Sequence, residues 1–417
     1  MEKLEQAREI LKKYNQEHIK LDNQEIIDQV LGIDFNELEQ LYKMAATKAN
    51  AKNIEKIQPV KAINPEKLEK CELDEYRTIG DSVIKNGRYA VAIMAGGQGT
   101  RLGHTGPKGT FPINLNSKVK TLFEVSIEKL KKAREKYGVY INCYIMTSPE
   151  NNMETIKAFE NASFWGYPKE YIKFFKQNEL PLLDKNGKLV IGEDGLIKFA
   201  SDGNGGIFNS MARNGIIEDM KEKQIEWIFI GSVDNILVQY IDPLLLGITI
   251  KQEKQIGTKT IIKNCPEEKV GVLCKNNNRI EVIEYTEISE QMRNALDEQG
   301  ELLYGEGHIM CNLYSIEAIK KLSNKKMNYH VATKKSKYID ENGNLVIPKE
   351  PNCYKFEQFI FDSFNEFENI TVVRGVREQC FAPIKNKEGV DSPETAKQLY
   401  EGFVSSLQGE WKEEKSK

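Results

Sequence analysis

Histidine is scarce in this 417-residue chain: there are four, and no two stand four residues apart. That argues against a histidine-built metal centre. The seven cysteines are scattered without a C-x-x-C pair. This favours reduced thiols in a cytoplasm over a disulfide framework or a zinc site. No apolar run approaches the roughly 20 residues that span a bilayer. The first residues, Met1, Glu2, Lys3, Leu4 and Glu5, lack the apolar stretch of a signal peptide. There is no basic excess either: 59 Lys and Arg stand against 62 Asp and Glu, a net charge of −3. A nucleic-acid footprint would be basic. Two familiar phosphate motifs are also missing. No G-x-x-x-x-G-K-[ST] string occurs. The dinucleotide pattern G-x-G-x-x-G starts at Gly97 and Gly99 but meets Leu102 where its third glycine belongs.

The chain is instead organised around residues 89–108. Residues 89–95 form a short apolar run, the mark of a buried strand. Gly96, Gly97, Gly99 and Gly103 follow, where missing Cβ atoms let backbone N–H groups approach a ligand. Arg101 and Lys108 add two cations. A buried strand opening into a glycine-rich, cationic loop reads as a phosphate cradle.

Before this stretch, apolar spacing predicts helices within residues 1–50, with Asn23 a weak cap and Asp34 a better one. Residues 51–75 read as a connection and 73–85 as a further helix. After it, a helix is expected from Thr121 to Tyr137 and a strand over 140–146. Strand, helix and strand at this spacing make a βαβ unit, hence an α/β protein with a parallel sheet. Further strands are expected at 171–175, 226–230 and 372–376, and an antiparallel block within 259–285. Hairpins are expected around Asn186-Gly187 and over 340–344. A glycine-rich loop spans 201–206 and leads into a helix over 207–214. Phe356, Phe359, Ile360, Phe361 and Phe364 read as one helix face, and 393–411 as an amphipathic helix. Asp234 follows the strand at 226–230, where open α/β sheets bind ligands. One carboxylate suits Mg²⁺, which prefers one or two carboxylates plus substrate phosphates.

The strings Gly96-Gly97-Gln98-Gly99-Thr100-Arg101-Leu102, Pro107-Lys108-Gly109, Asp202-Gly203-Asn204-Gly205-Gly206, Val233-Asp234-Asn235, Glu284-Tyr285-Thr286-Glu287 and Pro383-Ile384-Lys385-Asn386 occur in order. With them the sequence resembles the eukaryotic-type UDP-sugar pyrophosphorylase family, above all its UDP-N-acetylhexosamine branch. The resemblance implies a Rossmann-like, GT-A-like nucleotidyltransferase domain with a mixed, mainly parallel sheet. The expected division is an N-terminal helical region at 1–85, a catalytic domain at 86–383 and a short C-terminal segment at 384–417.

The implied reaction joins UTP and a sugar 1-phosphate into a UDP-sugar and pyrophosphate, with Mg²⁺ or Mn²⁺ as cofactor. The implied enzyme is cytoplasmic, monomeric or weakly oligomeric, and has no nucleic-acid or membrane partner. Matching residue by residue, Gly96, Gly97, Gln98, Gly99, Thr100, Gln177 and Gly203 are expected at the nucleotide. Arg101, Lys108 and Lys385 are expected at the reacting phosphates, and Asp234 at the metal. Asn204, Glu284, His308, Phe359 and Phe361 are expected at the sugar. The acetylhexosamine branch carries G-N-I-A-N-H where this chain reads Gly307-His308-Ile309-Met310-Cys311-Asn312. His308 thus replaces a sugar-side asparagine, either bonding a hydroxyl itself or supporting a neighbour. N-acetylglucosamine 1-phosphate is the expected substrate, with glucose or galactose 1-phosphate as alternatives. A non-catalytic UDP-sugar binding protein is the reading from another class.

Overall fold

The structure is a computed structural model that describes residues 2–47, 57–277 and 279–414, with side chains described as far as 406. Contacts divide the chain into two units, each built from three stretches. The smaller takes Met1–Asn53, Asn178–Gly206 and Met327–Ile360, and the larger takes Ile54–Gln177, Ile207–Lys326 and Phe361–Lys417.

The larger unit is built on β1 (Tyr89–Met94), α1 (Leu122–Tyr137), β2 (Asn142–Thr147), β3 (Ile172–Lys176), β4 (Trp227–Ser232), β5 (Ile256–Ile262), β6 (Val272–Asn276), β7 (Arg279–Ile283), β8 (Glu306–Ser315), β9 (Thr371–Arg374) and α2 (Pro393–Glu414). All six residues of β1 are buried, as are those of β2. Strands covered on both faces are continuously apolar for that reason. Between them, α1 starts where the Thr121 side chain accepts a hydrogen bond from the Glu124 N–H. It ends at Gly138 in the left-handed region, φ +75°. The β1–α1–β2 unit pairs in parallel, as the spacing predicts.

The four strands β3, β2, β1 and β4 run parallel. Strand β8 then pairs antiparallel with β4, and β5, β6 and β7 extend that antiparallel part. Strand β9 returns to a parallel pairing on β5. A helix at Pro243–Lys251 packs on the helix at Lys70–Lys85. The contact is close: a Cβ on Gly80 would lie 2.0 Å from the Pro243 carbonyl oxygen, and one on Gly247 would lie 1.7 Å from that of Tyr76.

In the smaller unit, helices at Glu2–Lys13, Gln24–Gly32 and Phe35–Thr47 share a core with Leu183, Leu189, Ile197 and Phe356. The Asn23 side chain accepts the Ile26 N–H at 3.0 Å, so the weaker of the two caps in the sequence is also formed. Strand pairing joins His330–Lys334, Cys353–Glu357 and Leu183–Asp184. The turn at Asn186-Gly187 and the hairpin at 340–344 form as expected; Gly187 has φ +79°.

One expectation is overturned. The aromatic run at 356–364 is no helix face. Phe356 sits in the strand Cys353–Glu357, and a 3₁₀ segment, Ile360–Glu366, follows. Strand pairing with His330–Lys334 takes the backbone that a helix would need, and the same apolar spacing is buried through a strand and a tight turn instead. Of the segment expected at 51–75, residues 51–56 lie outside the described residues.

Candidate active site

Strands β1 and β4 are parallel neighbours, with Met94 opposite Ser232. Their carboxyl ends therefore open at the same edge of the sheet. From β1 comes the glycine loop, and from β4 comes Asp234. This edge is where ligands bind in open α/β sheets.

The loop folds on itself. Gly99 N–H donates to Gly106 O at 3.0 Å, and Lys108 N–H donates to Gly97 O at 3.0 Å. Two 3₁₀ turns, Thr100–Leu102 and Lys108–Thr110, keep it compact. Gly97 and Thr100 are exposed, and a Cβ on Gly97 would meet nothing within 4 Å. Gly96 differs: its Cβ would lie 2.7 Å from Gln177 Oε1, so the buried Gln177 amide lies flat against the loop backbone. The Gln98 Oε1 atom is buried and unpaired. Gly109 admits no side chain, because a Cβ there would lie 2.2 Å from Phe123.

Lys108 Nζ donates to Asp234 Oδ2 at 3.0 Å. The Asp234 carbonyl in turn accepts the Ile384 N–H at 2.9 Å, which brings the next residue, Lys385, to the same place. Burial opposes ionisation of Asp234, but Lys108, a hydrogen bond from Ser232 and the charge of Lys385 outweigh it and hold the carboxyl below its usual range. Lys385 also reaches Asp391 at 3.4 Å. Arg101 is exposed and has no ion-pair partner among the described residues.

Two asparagines outside the expected set shape this edge. Asn235 is buried. Its Nδ2 donates to Cys380 O at 2.8 Å, and its Oδ1 accepts the N–H groups of Ala382 at 2.9 Å and Leu237 at 3.1 Å. It ties the Asp234 loop to the segment that carries Lys385. Asn151 Nδ2 donates to Ala95 O at 3.0 Å and Gly97 O at 3.3 Å, while its Oδ1 accepts the Ser148 N–H. The Ser148-to-Asn151 turn ahead of the helix Asn152–Asn161 is the signal that could have marked it.

The residues of the larger unit expected at the sugar gather at the antiparallel strands. Glu284 follows β7, and its carboxylate lies beside Gly271. The His308 N–H donates to Gly271 O at 2.9 Å. The His308 ring meets Phe361 and Phe364 edge-on, each at 5.7 Å. Its Nε2–H donates to Asn312 Oδ1 at 3.0 Å, which fixes the tautomer and leaves Nδ1 an acceptor. Four strand residues would normally hold these side chains about 13 Å apart. A bulge with Met310 at φ +59°, opposite the shift between Lys259 and Thr260, lets them meet. Burial lowers His308 to about 4 against the support of Asn312, so the ring is neutral at pH 7.

The other three expected residues belong to the smaller unit. Gly203 has φ +90°, and a Cβ there would lie 2.3 Å from the Gln358 carbonyl oxygen. The Asn204 side chain accepts the Ile360 N–H at 2.8 Å. The Phe359 ring lies 4.7 Å from that of His330.

No group of three or more His, Cys, Asp or Glu able to hold a metal exists among the described residues. One carboxylate held ionised beside Lys108 and Lys385 fits Mg²⁺ or Mn²⁺ brought in with a nucleotide, and Asp234 is the side chain that would hold it.

A family model described as UTP--glucose-1-phosphate uridylyltransferase (UDPGP) matches residues 34–391, most of the chain. The chain belongs to the UDPGP family. Relatives of this UDPGP chain include the Xenopus tropicalis "UDP-N-acetylhexosamine pyrophosphorylase-like protein 1", 34% identical over 78% of this chain and 66% of that protein. The Saccharomyces cerevisiae "UDP-N-acetylglucosamine pyrophosphorylase" is 37% identical over 78% of this chain and 71% of the relative. The chain thus spans about two thirds of the length of the first curated relatives that it matches. Among solved structures, a putative UDP-N-acetylglucosamine pyrophosphorylase from Entamoeba histolytica superposes with a TM-score of 0.75. It is 34% identical and covers 82% of this chain and 87% of that one. UDPGP membership makes this a chain of a nucleotidyltransferase family, and the α/β fold agrees.

Proposed function

We propose that the chain is a UTP-dependent uridylyltransferase that converts N-acetylglucosamine 1-phosphate, or a related N-acetylhexosamine 1-phosphate, to its UDP-sugar with release of pyrophosphate. The observation that carries this reading is the cluster at the carboxyl edge of β1 and β4. There Lys108 pairs with Asp234, and the Asp234 backbone holds the segment with Lys385. The names of the relatives support the choice of sugar.

A sugar phosphate oxygen attacks the α-phosphorus of UTP, the bond from that phosphorus to the α,β-bridging oxygen breaks, and pyrophosphate leaves with that oxygen. The nucleophile is already an anion, so the residues have no proton to remove. Their task is to hold two polyanions in line, which is catalysis by positioning and charge stabilisation. Arg101, Lys108 and Lys385 carry the positive charge. Gly96, Gly97, Gln98, Gly99 and Thr100 line the phosphates, and Gln177 lies against that loop for the base. When bound at Asp234, the divalent ion supplies further neutralisation of phosphate charge.

For the sugar, the reading takes Glu284, Phe361 and a neutral His308 that presents Nδ1 as an acceptor. Gly203 is assigned to the base, and Asn204 and Phe359 to the sugar, on the family resemblance alone. The seven free cysteines suit a cytoplasmic setting. The experiment is pyrophosphate release from UTP and Mg²⁺ with a panel of sugar 1-phosphates. Release with N-acetylglucosamine 1-phosphate supports the proposal, and silence with every sugar ends it.

A further inference from the structure

Behind the Asp234 loop, and away from the glycine loop, helices α1 and α2 and residues 236–243 enclose a pocket of about 300 Å³. Its walls are mostly apolar, with Val125 and Tyr137 from α1, Tyr240 from the loop, and Tyr400, Phe403 and Val404 from α2. Four charged residues also line it, Glu128, Lys129, Lys132 and Lys136, and of these Lys129 is the one bound to the loop backbone. Lys129 Nζ donates to the carbonyls of Ile236 at 2.7 Å and Val238 at 2.8 Å, and it sits 5.4 Å from the centre of the Tyr240 ring.

An ammonium has three N–H donors, so two carbonyls leave one unused. No carboxylate meets it among the described residues. The adjacent Glu128 is taken by Lys120, at 2.5 Å and 2.7 Å. The other cations at the rim do not help: Lys132 has no ionic partner among the described residues, and Lys136 turns to the Tyr137 hydroxyl and Asp81. Burial pulls Lys129 down to about 7, with Cys311, Lys132 and Glu128 as its charged or titratable neighbours. A partly desolvated cation without an anion, set in an apolar pocket, is complemented by one anionic group on an apolar body. Phosphate is a poor match, since one spare N–H cannot satisfy its oxygens.

We propose that this pocket binds a small aliphatic or aryl carboxylate, with the carboxylate on Lys129 Nζ and the apolar body against Tyr400 and Phe403. The site is independent of the uridylyl-transfer reading. The carbonyls that hold Lys129 lie two and four residues beyond Asp234, so an occupant touches the back of that loop.

The test is calorimetric titration of the full chain at pH 6.5 with 4-phenylbutyrate and with its neutral amide. The acid is expected to bind saturably and at least tenfold more tightly than the amide. Lys129→Met should erase that difference. Val404→Trp, which fills the pocket from α2 and leaves Lys129 in place, should abolish binding of both while the melting temperature stays at the wild-type value. Equal binding of acid and amide overturns the proposal. So does absence of saturable acid binding at millimolar concentration, or wild-type binding by Val404→Trp.

Discussion

Lowering the pH from 7.5 to 5 should destabilise the larger unit through His308. Its ring is buried between Phe361 and Phe364 and holds its neutral form down to about 4, against an ordinary value of 6.5. The unfolded chain takes up this proton first. The stability is therefore complete above pH 6.5 and is lost as the pH falls from 6.5 towards 4. pH 5 lies about 1.5 units below the ordinary value that the unfolded imidazole keeps, so that ring is protonated while the native one is still mostly neutral. At about 1.4 kcal/mol per unit, that is a loss of about 2 kcal/mol. Carboxylates contribute to the same window, so the quantity to measure is a difference. Urea unfolding of the wild type and of His308→Asn is compared at pH 7.5 and pH 5. The wild type should lose about 2 kcal/mol more than the variant. With four histidines in the chain, ring resonances can also be followed directly by NMR. A His308 ring that titrates near 6.5, or a variant with the same pH slope as the wild type, refutes the reasoning.

Lys108→Ala and Asp234→Ala should each lower turnover at least tenfold with the fold intact, since one charge-stabilising contact at a reacting group is worth roughly 2.7–4 kcal/mol; steady-state kinetics and circular dichroism decide this. Gly97→Ala places its Cβ in open space, so it should keep the wild-type melting temperature and raise the KM for UTP. Gly109→Ala drives its Cβ into Phe123 and should cost about 1–3 kcal/mol of stability in a denaturation curve. Asn235→Ala strands two N–H groups and one carbonyl and releases the Lys385 segment. It should lower both melting temperature and kcat; a kcat at the wild-type level would show that Lys385 is placed by other means.

The centre of this site was legible because its signals are local. A continuous apolar run, then glycines and two cations, marks β1 and its loop within twenty residues. The Asp234 position follows from one further strand end. What was not legible depends on contacts between distant stretches. The smaller unit draws on three separate parts of the chain, and no local period announces that. Asn235 and Asn151 each donate to backbone far away in sequence, and Asn235 also accepts from the distant Ala382 N–H. The His308–Asn312 bond exists only because a bulge at Met310 shortens the path between them. The 356–364 aromatics show the limit of periodicity, which counts apolar spacing and is blind to the strand that claims the backbone.

The most direct measurement is a competition. The full chain is given limiting UTP, Mg²⁺ and equal amounts of N-acetylglucosamine, N-acetylgalactosamine and glucose 1-phosphates, and the products are followed by ³¹P NMR and mass spectrometry. UDP-N-acetylglucosamine should appear first, matched one for one by pyrophosphate. Predominant UDP-glucose, or no UDP-sugar at all, would contradict the account.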